Sequence, residues 1–131
     1  MSQDKKQLTR QRWLALLESQ RIDFDGPGSE EFWSPARDCA SRDELRALQD
    51  AKLKVLTPFL YENSDFYRRR FDALGLTPND IQSVDDLSQW PPVDKKEMVE
   101  DLMANPPWGT YTTHDDALWN ERGWSALLKD N

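Results

Sequence analysis

One cysteine, one histidine and five scattered glycines are all that the 131 residues hold of the types on which much covalent and phosphate chemistry is built. Cys39 alone cannot form an intrachain disulfide or a thiolate metal cluster, and a lone thiol suits a reducing compartment. The glycines fall at 26, 28, 75, 109 and 123, so neither a Walker A loop nor a dinucleotide fingerprint is present. His114 precedes Asp115 and Asp116, a trio that could bind a metal or pair an imidazole with a carboxylate. The same acidic residues suit an ordinary helix N-terminus, where they favour the dipole. Nucleophilic catalysis by Ser125 or Cys39 would need His114 brought to them, which no spacing in the chain indicates. The pairs Asp85-Asp86 and Asp115-Asp116 are adjacent. On a helix such neighbours diverge by about 100°, so a two-carboxylate glycosidase has no particular support.

Long apolar runs are also missing. Trp13-Leu14-Ala15-Leu16-Leu17 and Trp124 to Leu128 are the longest, far short of the roughly 20 residues that span a bilayer. No apolar stretch at the N-terminus ends in a small-residue cleavage site, so the expected location is the cytoplasm. Basic charge is scarce overall, with a formal net charge of −7. Lys5, Lys6, Arg10, Arg12 and Arg21 outnumber Asp4 and Glu18 near the start, a local +3 that leaves −10 for the remainder. This balance gives nucleic acid no footprint as a partner. The basic start could form a membrane-surface or partner-binding helix, although a solvated face is the commoner use of such charges.

What the chain does have is aromatic residues: six Trp, five Phe and three Tyr. Disordered chains are poor in these groups, so a folded piece is expected, but with 37% hydrophobic residues its core must be small or must borrow surface from a partner. Thr9 is expected to cap a first helix bearing Trp13, Leu16 and Leu17. Asp25 to Cys39 is broken by Gly and Pro and signals no regular element. Ser41-Arg42-Asp43-Glu44 is a capping box, in which the serine hydroxyl accepts from the backbone three residues on and the glutamate reaches back. Leu45, Leu48, Val55, Leu56, Phe59 and Leu60 then share one face of a helix to about Tyr61, which Pro58 should kink or divide. A further helix restarts at Asn63-Ser64, carries Phe66, Tyr67, Phe71 and Leu74, and closes at Gly75 in the left-handed conformation. Thr77-Pro78 and Ser83 to Asp86 open brief turns, and Asp94 with Glu97 caps a helix bearing Met98, Val99 and Leu102 before Pro106-Pro107. Thr110 to Thr113 have strand propensity, Thr113 could cap a short helix through Trp119, and Trp124 to Leu128 reads as the start of a buried strand.

The fold class is therefore mainly α, with at most one or two short strands. Leu45, Leu48, Val55, Leu56, Phe59, Phe66, Phe71 and Leu74 are the expected core. Trp33, Tyr61, Tyr67 and Trp90 could line a small-molecule pocket, but stripe spacing and nearby prolines suit core or interface packing better. Arg68-Arg69-Arg70 could bind an anion, yet successive side chains fan around a helix and the expected state is a solvated face. The structural or interface set is thus Trp33, Leu45, Leu48, Leu56, Phe59, Phe66, Tyr67, Phe71, Trp90, Trp108, Trp119 and Trp124, with no catalytic, cofactor or metal residue among them.

Trp33-Ser34-Pro35, Ser41 to Gln49 and Tyr61-Glu62-Asn63-Ser64-Asp65-Phe66-Tyr67-Arg68 resemble, in order and spacing, the opening of the phenylacetate-coenzyme A ligase-like family of adenylate-forming enzymes. Gly75, Asp80-Ile81, Leu87, Pro91-Pro92 and Lys95-Lys96-Glu97 continue the likeness, which covers about residues 33 to 107. The resemblance implies a helical N-terminal region, here residues 33–109, preceded by a basic helix and linker (1–32) and followed by a Trp-rich tail (110–131). Members of that family join a carboxylic acid to coenzyme A through an acyl-adenylate made with ATP and magnesium. Their phosphate loop and their adenine- and magnesium-binding motifs follow the region matched here, and Lys129-Asp130-Asn131 stands where that loop would be delivered. The resemblance therefore implies a non-catalytic segment or small subunit, inactive alone and binding no cofactor by itself. Its partner would be the remainder of a ligase or a separate catalytic subunit. The alternatives are a stand-alone helical interaction module and, lowest in rank, a small enzyme built around His114.

Overall fold

In a computed structural model the described residues are 2–21, 32 and 34–113. Among them, five α-helices carry the fold: α1 (Ser2–Ser19), α2 (Pro35–Asp38), α3 (Arg42–Asn63), α4 (Asp65–Leu74) and α5 (Lys95–Ala104). Two 3-10 turns, Pro78–Asp80 and Asp85–Gln89, lie between α4 and α5, and no strand occurs among the described residues. The chain is mainly α, as its sequence indicates.

The local signals explain most boundaries. Ser41 Oγ accepts from Glu44 N at 3.2 Å while Glu44 accepts from Ser41 N at 2.7 Å, so the capping box forms as read. The same device opens α5, where Asp94 accepts from Glu97 N at 2.7 Å and Glu97 accepts from Asp94 N at 3.2 Å. Gly75 ends α4 at φ 65°, a left-handed turn that a side chain would resist.

Several expectations need correction. Thr9 lies inside α1 rather than at its start, because its hydroxyl donates back to Lys5 O at 2.9 Å and is satisfied within the helix. Residues 35 to 38, read as irregular, form one helical turn with Pro35 at its first position, and Asp38 accepts from Ser34 N at 2.9 Å. Pro58 does not divide α3, which runs through it to Asn63. The strand expected at Thr110 to Thr113 does not form: no strand neighbours these residues among the described ones, and two of their carbonyls instead accept from the start of α4. The proposed helix from Thr113 through Trp119 and the strand from Trp124 lie outside the described residues.

The core is compact and aromatic. Phe59, Phe66, Phe71 and Ile81 are its buried apolar residues. Phe71 meets Trp90 edge-on with centroids 4.3 Å apart and Tyr61 at 5.5 Å, while Trp13 of α1 stacks on Phe59 at 6.1 Å. Leu48, Val55 and Leu56 are half-buried. Leu45 and Leu74, expected inside, are 37% and 38% exposed, because no described element covers those ends of α3 and α4. Ile81 takes a core place that its position between two short turns did not advertise.

Candidate functional site

The densest polar cluster of the described residues is centred on Asp101 in α5. Its side chain is 6% exposed and accepts from four donors. Thr110 contributes its amide at 2.5 Å and its hydroxyl at 2.6 Å, Arg69 a guanidinium N–H at 3.2 Å and Asn105 its amide nitrogen at 3.3 Å. Burial would raise the carboxyl, but the Thr110 donors and the Arg69 charge outweigh it and hold Asp101 below its ordinary 3.8. A carboxylate so occupied is a structural acceptor rather than a proton-transfer base.

The backbone before Thr110 is shaped to let this happen. Gly109 adopts φ 68°, and a Cβ there would lie 2.5 Å from Asp101 Oδ2 and 3.0 Å from the Tyr111 ring. Beyond it, Thr110 O accepts from Phe66 N at 3.0 Å and Tyr111 O from the Ser64 hydroxyl at 3.0 Å. Ser64 is 1% exposed; its amide closes α3 on Leu60 O and its hydroxyl also accepts from Tyr67 N to open α4. Arg10 of α1 donates to Thr113 O. Residues 109 to 113 are thereby tied to α1, α4 and α5 together.

The Arg68-Arg69-Arg70 triplet fans around α4 as expected, with Arg68 and Arg69 partly in solvent and Arg70 mostly covered, and each is ion-paired. Arg68 donates to Glu62 at 3.0 Å and to Tyr61 O at 2.9 Å, and Arg69 joins the Asp101 cluster. Arg70 donates to Glu97 at 2.6 Å and to Pro91 O at 2.8 Å. The reason is position: three successive residues on α4 face α3, the Thr110 segment and α5 in turn. An open groove of about 510 Å³ runs between α4 and α5, floored by Phe66, Ala73, Leu74 and Ala104. Its cations, Arg69 and Arg70, are already paired with Asp101 and Glu97, so it offers an anionic ligand no unpaired cation.

Among the structural or interface residues read from sequence, the structure brings Phe59, Phe66, Tyr67, Phe71 and Trp90 into contact with the aromatic core or its arginines. Trp108 is half-buried beside Gly109, and Leu48 and Leu56 line α3. Trp33, Trp119, Trp124 and His114 lie outside the described residues. Cys39 is exposed. No three His, Cys, Asp or Glu side chains among the described residues group so as to hold a metal ion. Ser64 opens α4 where the sequence placed a helix start, but sequence reading missed its tie to Tyr111 and the pairing of Asp101 with Thr110; only the glycine at 109, a residue that tolerates positive φ, hinted at a close approach there.

Comparison with known proteins gives these helices a context. No family model matches the chain. It is 43% identical over 72 residues to phenylacetate-coenzyme A ligase of Escherichia coli K12, which is 55% of this chain and 16% of that enzyme. It is 44% identical over 72 residues to the ligase of that name from Aromatoleum evansii, and 34% identical over 80 residues to that of Thermus thermophilus. A crystal structure of 2-hydroxyisobutyryl-CoA ligase in the postadenylation state with 2-HIB-AMP matches with a TM-score of 0.66 at 25% identity, over 74% of this chain and 21% of that one. The same ligase with 2-HIB-AMP and CoA in the thioesterification state also matches at a TM-score of 0.66. The chain thus spans about a sixth of the length of the first two curated relatives, 16% of each. Over a little more than half its residues it resembles the N-terminal portion of phenylacetate-coenzyme A ligase-like enzymes, as the sequence motifs indicated.

Proposed function

We propose that this chain is the non-catalytic, helical N-terminal part of an acid-adenylating CoA ligase-like enzyme, working with a ligase body supplied by a further segment or a separate subunit. The observation that carries the reading is the 43% identity over 72 residues to a phenylacetate-coenzyme A ligase. ATP, magnesium and coenzyme A belong, on this reading, to the completed enzyme. The pairing of Arg69 and Arg70 with Asp101 and Glu97, and the filled acceptor sites of Asp101, support placing them there. No chemical step is assigned to this chain.

The three regions at 1–32, 33–109 and 110–131 are proposed as a basic N-terminal helix and linker, the ligase-like helical N-terminal region and a Trp-rich tail. Exposed apolar residues supply the docking surface, above all Val99 and Met103 one turn apart on α5, with Leu74 and Leu87. A free monomer buries such residues poorly, whereas a partner would remove them from water. None of the described helices is long and apolar enough to cross a membrane, and a cytoplasmic setting is proposed with the ligase role. The test is reconstitution. Escherichia coli phenylacetate-coenzyme A ligase lacking its matching segment should recover thioester formation when the purified chain is added, and no binding at micromolar concentration would overturn the reading. A stable monomer that captures no ligase body but retains its fold would favour the stand-alone interaction module instead.

A further inference from the structure

Outside the aromatic core, the buried carboxylate of Asp101 and its donors lie where the chain passes from α5 to residue 113. We infer that Asp101 is a positioning residue, a carboxylate latch that fixes the path of residues 109 to 113 across α4 and can release it separately from the aromatic core. The inference deepens the ligase reading by assigning this chain a positioning task within it.

Three independent features support the latch. The first is placement: Asp101 sits in the last turn of α5, yet its carboxylate is turned inward and capped by Thr110 N, Thr110 Oγ1, Arg69 and Asn105. The second is fit, since Gly109 leaves room for that carboxylate where any Cβ would come within 2.5 Å of it. The third is continuation: Thr110 and Tyr111 carbonyls accept from Phe66 N and Ser64 Oγ, and Thr113 O accepts from Arg10, so the latched path extends residue by residue along α4 to α1. The packing of α1, α3 and α4 does not need these bonds: Tyr61 of α3 meets Phe71 of α4, and Trp13 of α1 stacks on Phe59 of α3. The latch can therefore open while these three helices stay folded.

The charged and titratable groups facing Asp101 are few. Arg69 approaches from α4; Tyr111 lies on the latched segment; on α5 itself Glu97 is engaged by Arg70, and Glu100 lines the groove. Protonating Asp101 removes the charge that holds Arg69 and weakens both Thr110 bonds. Carboxylate acceptors bind donors more strongly than neutral ones, so this loss is concentrated at one segment.

The experiment is residue-resolved amide hydrogen exchange on the complete 131-residue chain, comparing the native protein with Asp101→Asn and Thr110→Val. Native Thr110 and Phe66 amides should be protected at neutral pH. Both should lose protection by roughly tenfold or more in Asp101→Asn, while amides in the middle of α3 change less than about twofold. Thr110→Val, which keeps the amide and deletes only the hydroxyl, should give a smaller loss at the same two sites. Lowering the pH through the carboxylate range should expose these amides in the native protein before α3 opens, and should have no such selective effect in Asp101→Asn. Unchanged protection at Thr110 and Phe66, or a loss shared equally by α3, would overturn the inference. Should Asp101→Asn fail to fold, the native pH series and Thr110→Val decide it by the same two amides. The readout needs no ligase body, so it stands or falls separately from the reconstitution above.

Discussion

Ser64 shows how much one small side chain can carry. Its hydroxyl caps α4 and reaches Tyr111 O, and its amide closes α3, all at a site 1% exposed. Replacing it with Ala removes a cap and leaves a buried carbonyl short of a donor, so urea unfolding should show a loss of about 1–3 kcal/mol. Phe71 is 2% exposed between Trp90 and Tyr61, and Phe71→Ala should cost about 3–5 kcal/mol, enough to unfold a marginal domain at room temperature. Titration acts at this scale too. Hydrogen bonds from Ser41, Thr77 and Gln82 hold Glu44, Asp80 and Asp86 below their ordinary values, and Asp101 is lowered despite its burial. Each group binds its proton more readily in the unfolded chain than in the folded one. Their contribution is therefore present at neutral pH and is lost as pH falls below the ordinary range of 3.8 to 4.5. Thermal melts should shift downward there, and Asp101→Asn should flatten part of that slope.

Among the elements, α1 is the least self-sufficient. It is rich in charged residues and holds to α3 through Trp13 on Phe59, Arg10 over the same ring at 5.6 Å, and Asn63 Nδ2 donating to Thr9 Oγ1 at 3.0 Å. Helices of this length draw most of their stability from packing. Trp13→Ala should thus detach and melt α1, seen as a drop in far-ultraviolet helical signal, while the α3–α4 pair keeps its cooperative unfolding transition. The elements also show what could be read in advance. Caps were legible because their signals are local: Ser41 with Glu44, Asp94 with Glu97 and Gly75 each act within four residues. Long-range pairs were not. Nothing in periodicity links Asp101 to Thr110 across two prolines, or Arg69 to either, since the partners come together only after the helices dock. Strand propensity at Thr110 to Thr113 misled for a related reason, because it expresses itself only where a neighbouring strand exists. Leu45 and Leu74 lay on the correct stripe, but a stripe says which side is apolar and not how far the covering surface extends.

At the scale of the whole molecule, a small aromatic core is surrounded by apolar side chains that this chain leaves in water, with Met103 77% exposed. Val99→Asp and Met103→Asp should leave the melting temperature nearly unchanged, as surface substitutions usually do, yet weaken association with a ligase body by roughly tenfold or more. Binding measured by calorimetry against the shortened Escherichia coli ligase would check both halves of that expectation. The central claim, that these helices support acid activation without performing it, meets its most direct test in pyrophosphate release from ATP. With magnesium and a panel of aryl acids, the purified 131-residue chain should release none above background, and release should appear when the ligase body is supplied. Sustained pyrophosphate release by the chain alone, abolished by a substitution within it, would contradict the account.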